Sequence, residues 1–442
     1  MYNETNDTIA AVATPPGAGG IAIVRISGPD APRIASALLP GRKWKSHQLA
    51  YGHILHDGEV LDEAMAVLMR APRSYTREDV AELQCHGGDM AAHRVFEAVL
   101  SLGARPAQPG EFTRRAYENG RIDLAQAEAT MQLIGAQGEA AARAALRQMD
   151  GAVSRRIHAV QEGLTAMLAE IAACTDFPDE IEEAPTATRL IGEATRLAAD
   201  LRGACDARKG RVLEHGLSVV IAGRPNVGKS SLLNALLGEC RAIVTAQPGT
   251  TRDAVHGSLL LGGVRVNLTD TAGLRHADGE AEAIGIERAR AAIHAADLLL
   301  LVLDASSPLS EEDEALLADT KDIARVVLFN KSDLPPVLDT PHDLTISAQT
   351  GEGMEALRAL LKQHALDMQS GGALITQARH IDAATRAAGF LDDMAASLRS
   401  GMPVDFAAVD AREALHALGE ITGENAEESV VDAVFRDFCV GK

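Results

Sequence analysis

Aromatic side chains are scarce in this chain, with one Trp, four Tyr and eight Phe among 442 residues, 3% in all. Apolar residues still reach 46%, which excludes general disorder and leaves alanine and aliphatic side chains to fill the cores, a bias toward helix. Basic charge is also short. Lys and Arg number 42 against 62 Asp and Glu, a net charge of −20. That balance argues against unaided, non-specific binding of nucleic acid, while leaving room for a local basic patch or a basic partner. The five cysteines, Cys85, Cys174, Cys205, Cys240 and Cys439, form no CxxC pair and no metal-ligand spacing, as expected of reduced thiols in a cytosolic protein. The polar start MYNETND has no basic and apolar leader pattern, and the longest apolar run, Leu298 to Leu303, is far too short to span a bilayer. A soluble cytoplasmic protein is the expectation.

A chain of this length exceeds what one hydrophobic core usually serves, so two or three domains are expected. Residues 1–119 mix short β-like runs with Gly/Pro punctuation (IAIVRISG after TPPGAGG) and hold the only tryptophan, predicting a compact α/β or α+β domain. From Ile122 the pattern turns helical. Leu146, Met149, Val153, Ile157, Val160, Leu164, Met167 and Ile171 step by three or four, predicting one long amphipathic helix. After an acidic break (175–185) a second helical stretch runs to about Arg211, and helix resumes after about Leu374. The helical texture, 120–214 and 369–442, is therefore split by an insert, 215–368. That insert alternates strands and helices as a parallel sheet with crossovers does. LSVVIAG, LLLLVLDA, VVLFNKSD and LTISA read as strands, and SLLLGGVRVNLTD as a hairpin through Gly262-Gly263.

Nucleotide chemistry concentrates in the insert. Gly223-Arg224-Pro225-Asn226-Val227-Gly228-Lys229-Ser230, followed by Ser231, fits GxxxxGK[ST] between a strand and a helix. Its glycines let backbone N–H groups curl around phosphates at a helix N-terminus, Lys229 adds a point charge, and the Ser230 hydroxyl can ligate Mg²⁺. Asp270-Thr271-Ala272-Gly273 ends the next strand, where the acid can hold Mg²⁺ through water and Gly273 can meet a γ-phosphate. Asn330-Lys331-Ser332-Asp333 ends a later strand. The Asp333 carboxylate can accept from both N1–H and the 2-amino group of guanine, a pair adenine does not offer. Ser347 and Ala348 open a loop suited to a backbone contact with guanine O6. Four motifs in this order, at strand ends, point to a guanine-nucleotide-binding GTPase. Between the first two, TAQPGTTRD (245–253) is a candidate switch loop in which a threonine can complete the Mg²⁺ shell. Leu274 follows the second motif where Ras-like proteins carry a water-orienting Gln, so another group has to do that work. Glu280, Glu282 and Glu287 are the acids that follow, each by position alone a solvated side chain.

The chain resembles the MnmE (TrmE) family of tRNA-modification GTPases over essentially its whole length. Outside the insert the resemblance rests on TPPGAGGIAIVRISG, AELQCHGG, PGEFTRRAYENGRIDLAQAEA, DFPDE, GTTRD, IGIER and the terminal FCVGK. It implies a multidomain α/β fold: an N-terminal α+β domain that binds folate and dimerises, a discontinuous all-helical domain, and an inserted Ras-like P-loop GTPase domain. It also implies a homodimer that joins the FAD-dependent protein MnmG (GidA) in a heterotetramer and meets tRNA through that complex. The two proteins would install aminomethyl or carboxymethylaminomethyl groups at C5 of the wobble uridine, U34, with 5-formyl- or methylene-tetrahydrofolate as one-carbon donor. By the same resemblance Arg25, Glu82, Arg121 and Lys442 contact the folate, the family usually having Lys where Arg121 stands. Asn226, Thr245, Gln247 (through its carbonyl) and Thr250 fall at K⁺-contacting positions, Thr251 joins Ser230 at Mg²⁺, and Glu282 is the catalytic glutamate. K⁺ there does the work of an arginine finger. Cys439 matches the family's terminal cysteine and is expected to be a buried structural thiol. A ribosome-assembly or signalling switch is the alternative the insert alone allows, since a Leu after DTAG also occurs in assembly GTPases. The N-terminal block and the FCVGK end favour the modification enzyme.

Overall fold

The computed structural model describes residues 7–238, 257–271, 280–368, 374–436 and 438–441, and for 280–286 and 288 the backbone only. The chain divides into two compact units, 1–131 with 148–194 and 389–442, and 132–147 with 195–388.

In the first unit the elements run β1 (Ile9–Val12), β2 (Ile21–Ser27), α1 (Ala31–Leu38), β3 (Leu49–His56), β4 (Glu59–Met69), β5 (Val80–His86), α2 (Asp89–Ser101), β6 (Arg105–Pro106) and α3 (Glu111–Glu118). The strands form one sheet in the order β3-β4-β5-β2-β1-β6. Every pair is antiparallel except β1 with β6. Alternation along the strands separates two faces. Val24, Ile26, Ala66, Leu68, Ala81 and Leu83 turn inward into the core that buries Ile34 and Leu38 of α1 and Val95 and Val99 of α2. The opposite face carries Ala11, Arg25, Glu82 and Val67 side by side in register. There Phe112 of α3 packs with Ile9, Ala11, Ala107 and Tyr75.

Charge fixes α3 to the sheet. Glu111 accepts from Arg105 at 2.6 Å and from Arg115 at 3.1 Å, and Arg115 also reaches Asp7 at 2.6 Å and Glu78 at 3.2 Å. The Arg115 and Glu111 side chains are 4% and 6% exposed. Burial opposes the Glu111 charge, but Arg105, the Gln108 amide and Arg115 outweigh it and hold its pKa below the ordinary 4.5.

Helices follow: α4 (Leu124–Gly135), α5 (Glu139–Met149), α6 (Ala152–Asp176), α7 (Glu183–Ala204) and α8 (Ala207–His215). The single long helix expected over Leu146–Ile171 is two helices. Gly151, left-handed at φ 78°, breaks it between α5 and α6, and Leu146 is exposed. The four-residue step from Met149 to Val153 equals one helical turn, so the apolar period runs through the break unmarked. Val153, Ile157, Val160, Leu164, Met167 and Ile171 are buried along α6 as the pattern requires.

The second unit holds β7 (Leu217–Ala222), α9 (Lys229–Gly238), β8 (Gly257–Leu261), β9 (Val264–Asp270), α10 (Glu280–Ala295), β10 (Leu298–Asp304), α11 (Glu311–Asp319), β11 (Arg325–Asn330), β12 (Leu344–Thr345) and α12 (Met354–Asp367). The sheet order is β12-β11-β10-β7-β9-β8, parallel throughout except for the β8–β9 hairpin through Gly262 and Gly263. The LTISA strand shortens to Leu344–Thr345. β10 is buried at all seven positions, Leu298, Leu300 and Val302 feeding one core and Leu299, Leu301 and Leu303 the other. Such a strand needs a continuous aliphatic run, not an alternating one. The chain ends with α13 (Ala378–Arg399), α14 (Ala407–Thr422), which packs on α6, and α15 (Glu428–Arg436). Among the described residues no helix is long and apolar enough to cross a membrane.

Glu111→Gln should lower stability at pH 7 by about 3 kcal/mol, because it leaves the buried Arg115 guanidinium and the part-exposed Arg105 short of a carboxylate. Since the folded pKa of Glu111 lies below its unfolded value, its stabilisation is complete above about 4.5 and fades as pH falls through the folded pKa. Urea titrations of both proteins should therefore show the gap closing below about pH 4.5. A gap independent of pH would mean the Glu111 charge contributes nothing.

Candidate nucleotide site and N-terminal charged cluster

The carboxyl ends of β7, β9, β10 and β11 lie at one edge of the parallel sheet, and the motif residues gather there. Between β7 and α9 the loop reverses through Asn226, left-handed at φ 66°, and Gly228 at φ 98°. A Cβ on Gly228 would sit 2.3 Å from Asn330 Nδ2, so only glycine fits. Lys229, 6% exposed, donates from Nζ to the carbonyls of Gly223 at 2.9 Å and Arg224 at 2.8 Å. The ammonium is thus held inside its own loop at the first residue of α9, where the helix N-terminus adds positive potential. Val227 is buried, while Ser230 and Ser231 are exposed. The Ser230 hydroxyl donates to Asp270 Oδ2 at 2.7 Å. Thr271 is tied back to the Ile221 carbonyl at 3.1 Å.

Asn330 does more than its motif suggested. Its Nδ2 donates to the Val227 carbonyl at 2.8 Å, and its Oδ1 accepts from the Ala348 amide at 3.0 Å. One buried carboxamide therefore braces the phosphate-type loop against the loop after β12. The Ala348 amide, expected to face a guanine carbonyl, is already engaged, so a base oxygen has to share or displace that bond. The Ser347 hydroxyl donates to Asp333 Oδ1 at 2.5 Å, leaving Oδ2 without a partner among the described residues. Asp333 is exposed, so its carboxylate can still accept from a ligand.

Two contacts were not foreseen from the sequence. Lys331, at φ 69°, donates to Asp304 Oδ2 at 2.6 Å. Burial opposes the Asp304 charge, yet Lys331 and the Ser306 hydroxyl and amide hold its carboxyl below the usual range. Arg224 reaches Asp313 at 3.2 Å and hydrogen-bonds Ser307. Asp304 pairs in register with Asn330 across β10 and β11. An acid ending the strand beside NKSD was the available signal. Of the other expected residues, Thr245, Gln247, Thr250, Thr251, Ala272, Gly273 and Leu274 lie outside the described residues, as does the side chain of Glu282, whose backbone is in the first turn of α10.

In the first unit Arg25 Nε meets Glu82 Oε1 at 2.8 Å, the two side chains 20% and 16% exposed. Arg25 Nη1 donates to the Gly441 carbonyl at 3.0 Å, and its guanidinium lies 5.7 Å from the Phe112 ring centroid. The end of the chain is thus bound to the N-terminal sheet. Gly441, at φ 92°, approaches β1 so closely that a Cβ would be 2.9 Å from Ala13 Cα. The Gly110 amide donates to the Cys439 carbonyl at 3.3 Å. Cys439 itself is exposed, not the buried thiol expected, because its backbone and not its sulfur makes the anchoring contact. Arg121 lies over the Tyr75 ring at 4.7 Å and donates to the Tyr75 carbonyl at 3.2 Å. The Tyr75 hydroxyl shares a bond of 2.9 Å with Thr113 beside Phe112. Arg25, Glu82 and Arg121 so belong to one neighbourhood, with Lys442 outside the described residues.

Residues 124–439 match the family described as MnmE helical domain, and residues 8–121 match the family described as GTP-binding protein TrmE N-terminus. The chain is 47% identical over 454 residues to the tRNA modification GTPase MnmE of Chloroflexus aurantiacus, covering 99% of this chain and 100% of the relative. It is 44% identical over 460 residues to that of Geobacter metallireducens, covering 100% of each. With that of Levilactobacillus brevis it shares 42% over 456 residues, covering 99% and 98%.

Asn330→Ala removes both arms of the brace, a loss of about 1–3 kcal/mol for a buried hydrogen-bonding group. Fluorescent guanine-nucleotide titration should then show roughly 10- to 100-fold weaker binding. Unchanged affinity would show that the loops keep their spacing without it.

Proposed function

Because the chain belongs to the MnmE family of tRNA modification GTPases, we propose that its GTP hydrolysis serves installation of aminomethyl or carboxymethylaminomethyl groups at C5 of U34. In this reading 5-formyl- or methylene-tetrahydrofolate supplies the carbon, and the FAD-dependent protein MnmG is the partner. The observation that carries it is the coexistence of two built sites. One is the brace of Val227, Asn330 and Ala348 around the phosphate-type loop. The other is the cluster of Arg25, Glu82 and the chain end on the N-terminal sheet. A switch that only binds its partners in the GTP state needs the first and has no use for the second.

Roles follow from donor chemistry. Ser230 and Asp270 present hard oxygens 2.7 Å apart, a donor set that suits Mg²⁺, with Thr251 as a further ligand; bound Mg²⁺ supplies charge to the β- and γ-phosphate oxygens. Lys229 meets the same phosphates, together with Val227, Gly228 and Ser231 of its own loop and Thr271, Ala272 and Gly273 of the second motif. Asp333 selects guanine, Lys331 is positioned by Asp304, and Ser347 and Ala348 close over the base edge. Asn226, exposed and left-handed in the loop, would hold K⁺ together with Thr245, Gln247 and Thr250. Bound K⁺ supplies charge that other GTPases take from arginine. Glu282 orients the attacking water, a task Leu274 has no group to perform.

On the N-terminal sheet Glu82 offers a carboxylate to the N–H groups of a pterin, while Arg25, Arg121 and Lys442 suit the anionic parts of a folate. The domain division proposed with these roles is 1–119 for folate binding and dimerisation, 120–214 and 369–442 for the helical domain, and 215–368 for the G domain. The assembly is a cytoplasmic homodimer joined to MnmG, with tRNA reached through the complex.

Two measurements test this. Mass spectrometry of tRNA from a deletion strain should show U34 without its C5 group, and normal U34 would end the reading. GTP turnover should be supported by K⁺ and fall by at least about tenfold in Na⁺ at equal ionic strength, the loss expected when a charge-stabilising group is withdrawn. Equal rates would remove Asn226 from its role.

A further inference from the structure

A cavity of about 520 Å³ opens on the N-terminal unit, with Arg73, Arg77, Arg121 and His47 among its lining residues and Met69 and Tyr75 in its wall. No acidic residue lines it, although acids outnumber bases 62 to 42 in the chain. The neighbouring acids are committed elsewhere: Asp79 to Arg70 at 2.7 Å and to the Ala71 amide at 2.9 Å, Glu78 to Arg115 and Ser27. Arg77 is anchored by donating to the Asn119 carbonyl at 2.9 Å. The Arg73 side chain is exposed and has no hydrogen-bond or ionic partner among the described residues. This is a pocket of uncompensated positive charge on an acidic protein.

Its position relates it to the folate reading. In the ladder of β4 and β5, Glu82 pairs with Val67 and Val80 pairs with Met69. Met69 therefore stands on the Glu82 face, two residues further along, a step of about 7 Å. Along one sheet face the order is a carboxylate and guanidinium pair, then Met69 and Tyr75, then a cluster of cations. A folate has the same order of chemistry. Its pterin carries N–H donors, its aminobenzoyl ring is flat and apolar, and its tail carries glutamate carboxylates, each a match for a guanidinium fork.

We propose that this cavity is the subsite for a poly-γ-glutamyl tail, so that the protein selects polyglutamylated folate over the monoglutamate. The inference rests on the folate reading above. It adds Arg73, Arg77 and His47 as specificity residues. Each additional γ-linked glutamate contributes one further net carboxylate, and the cavity holds more cationic side chains than the two carboxylates of a monoglutamate can engage. The attraction is local and exposed, so added salt should weaken it.

Isothermal titration of the full chain with the mono- and tri-γ-glutamyl forms of 5-formyl-tetrahydrofolate tests it. The triglutamate should bind about tenfold more tightly, from two added carboxylates at partly exposed sites. High salt should narrow the difference. Arg73→Ala should lose most of the preference while its monoglutamate affinity stays within about twofold. Arg77→Ala, a second variant, should do the same. Equal affinity of the wild type for the two forms would overturn the subsite and leave the folate reading standing. Binding of neither form would overturn both. If a single-stranded RNA oligonucleotide displaced the triglutamate, with Arg73-dependent affinity exceeding it, the cavity would be an RNA surface and the proposal would fail.

Discussion

A sheet buried on both faces can place polar groups only at the ends of its strands, and the second unit is organised by that constraint. β10 is buried at every position and its neighbours nearly so. Buried polar groups without partners are costly, so Asp270, Asp304 and Asn330 occupy the last positions of β9, β10 and β11. Parallel pairing then delivers all three to one edge. There the side chains satisfy one another and the loops: Asp270 takes Ser230, Asp304 takes Lys331, and Asn330 takes Val227 and Ala348. The nucleotide motifs are a consequence of where a doubly covered sheet allows polarity.

The first unit meets a different constraint, since its sheet is covered by α1 and α2 on one face only. The other face tolerates charge, provided each charge is answered. At its rear the buried Glu111 is paired with buried Arg115 and half-buried Arg105, and the two arginines in turn reach Asp7 and, from Arg115, Glu78. Pairs of this kind add little stability in themselves, but they are costly to break. They therefore act as a register pin for α3. The pin sets Phe112 under Arg25, and Arg25 in turn holds the Gly441 carbonyl. Strand β2 near the start of the chain and the segment around Gly441 are thereby made parts of one surface.

Legibility from sequence followed the same physics. The motif residues around Gly223, Asp270 and Asn330 could be read because strand ends, turns and phosphate chemistry each demand particular residue types at fixed spacing. Asp304 was missed because a lone acid at the end of LLLLVLD carries no spacing of its own; its meaning comes from register with Asn330, a long-range fact. Gly151 was missed because a full helical turn on either side keeps the apolar period intact. The exposure of Cys439 depends on which of its atoms binds Gly110, which composition does not encode. The arginine cavity is the least legible feature. Arg73, Arg77, Arg121 and His47 come from three separate segments, and only the folded loop between β4 and β5 assembles them.

Both proposed ligands are anions, yet the protein carries a net charge of −20. At physiological ionic strength the Debye length is about 8 Å, so that distributed charge neither steers nor strongly repels a ligand already at the surface. Affinity has to come from groups within contact distance. In the second unit these are backbone N–H groups and Lys229, held by the carbonyls of Gly223 and Arg224 before any phosphate arrives. In the first they are guanidinium groups whose acidic neighbours are already paired. The anion-facing part of each site is positive through these few groups at contact distance, not because the protein is basic. An acidic surface with two such exceptions also disfavours casual contact with RNA. That selectivity suits a protein expected to approach tRNA through a partner and not by its own charge.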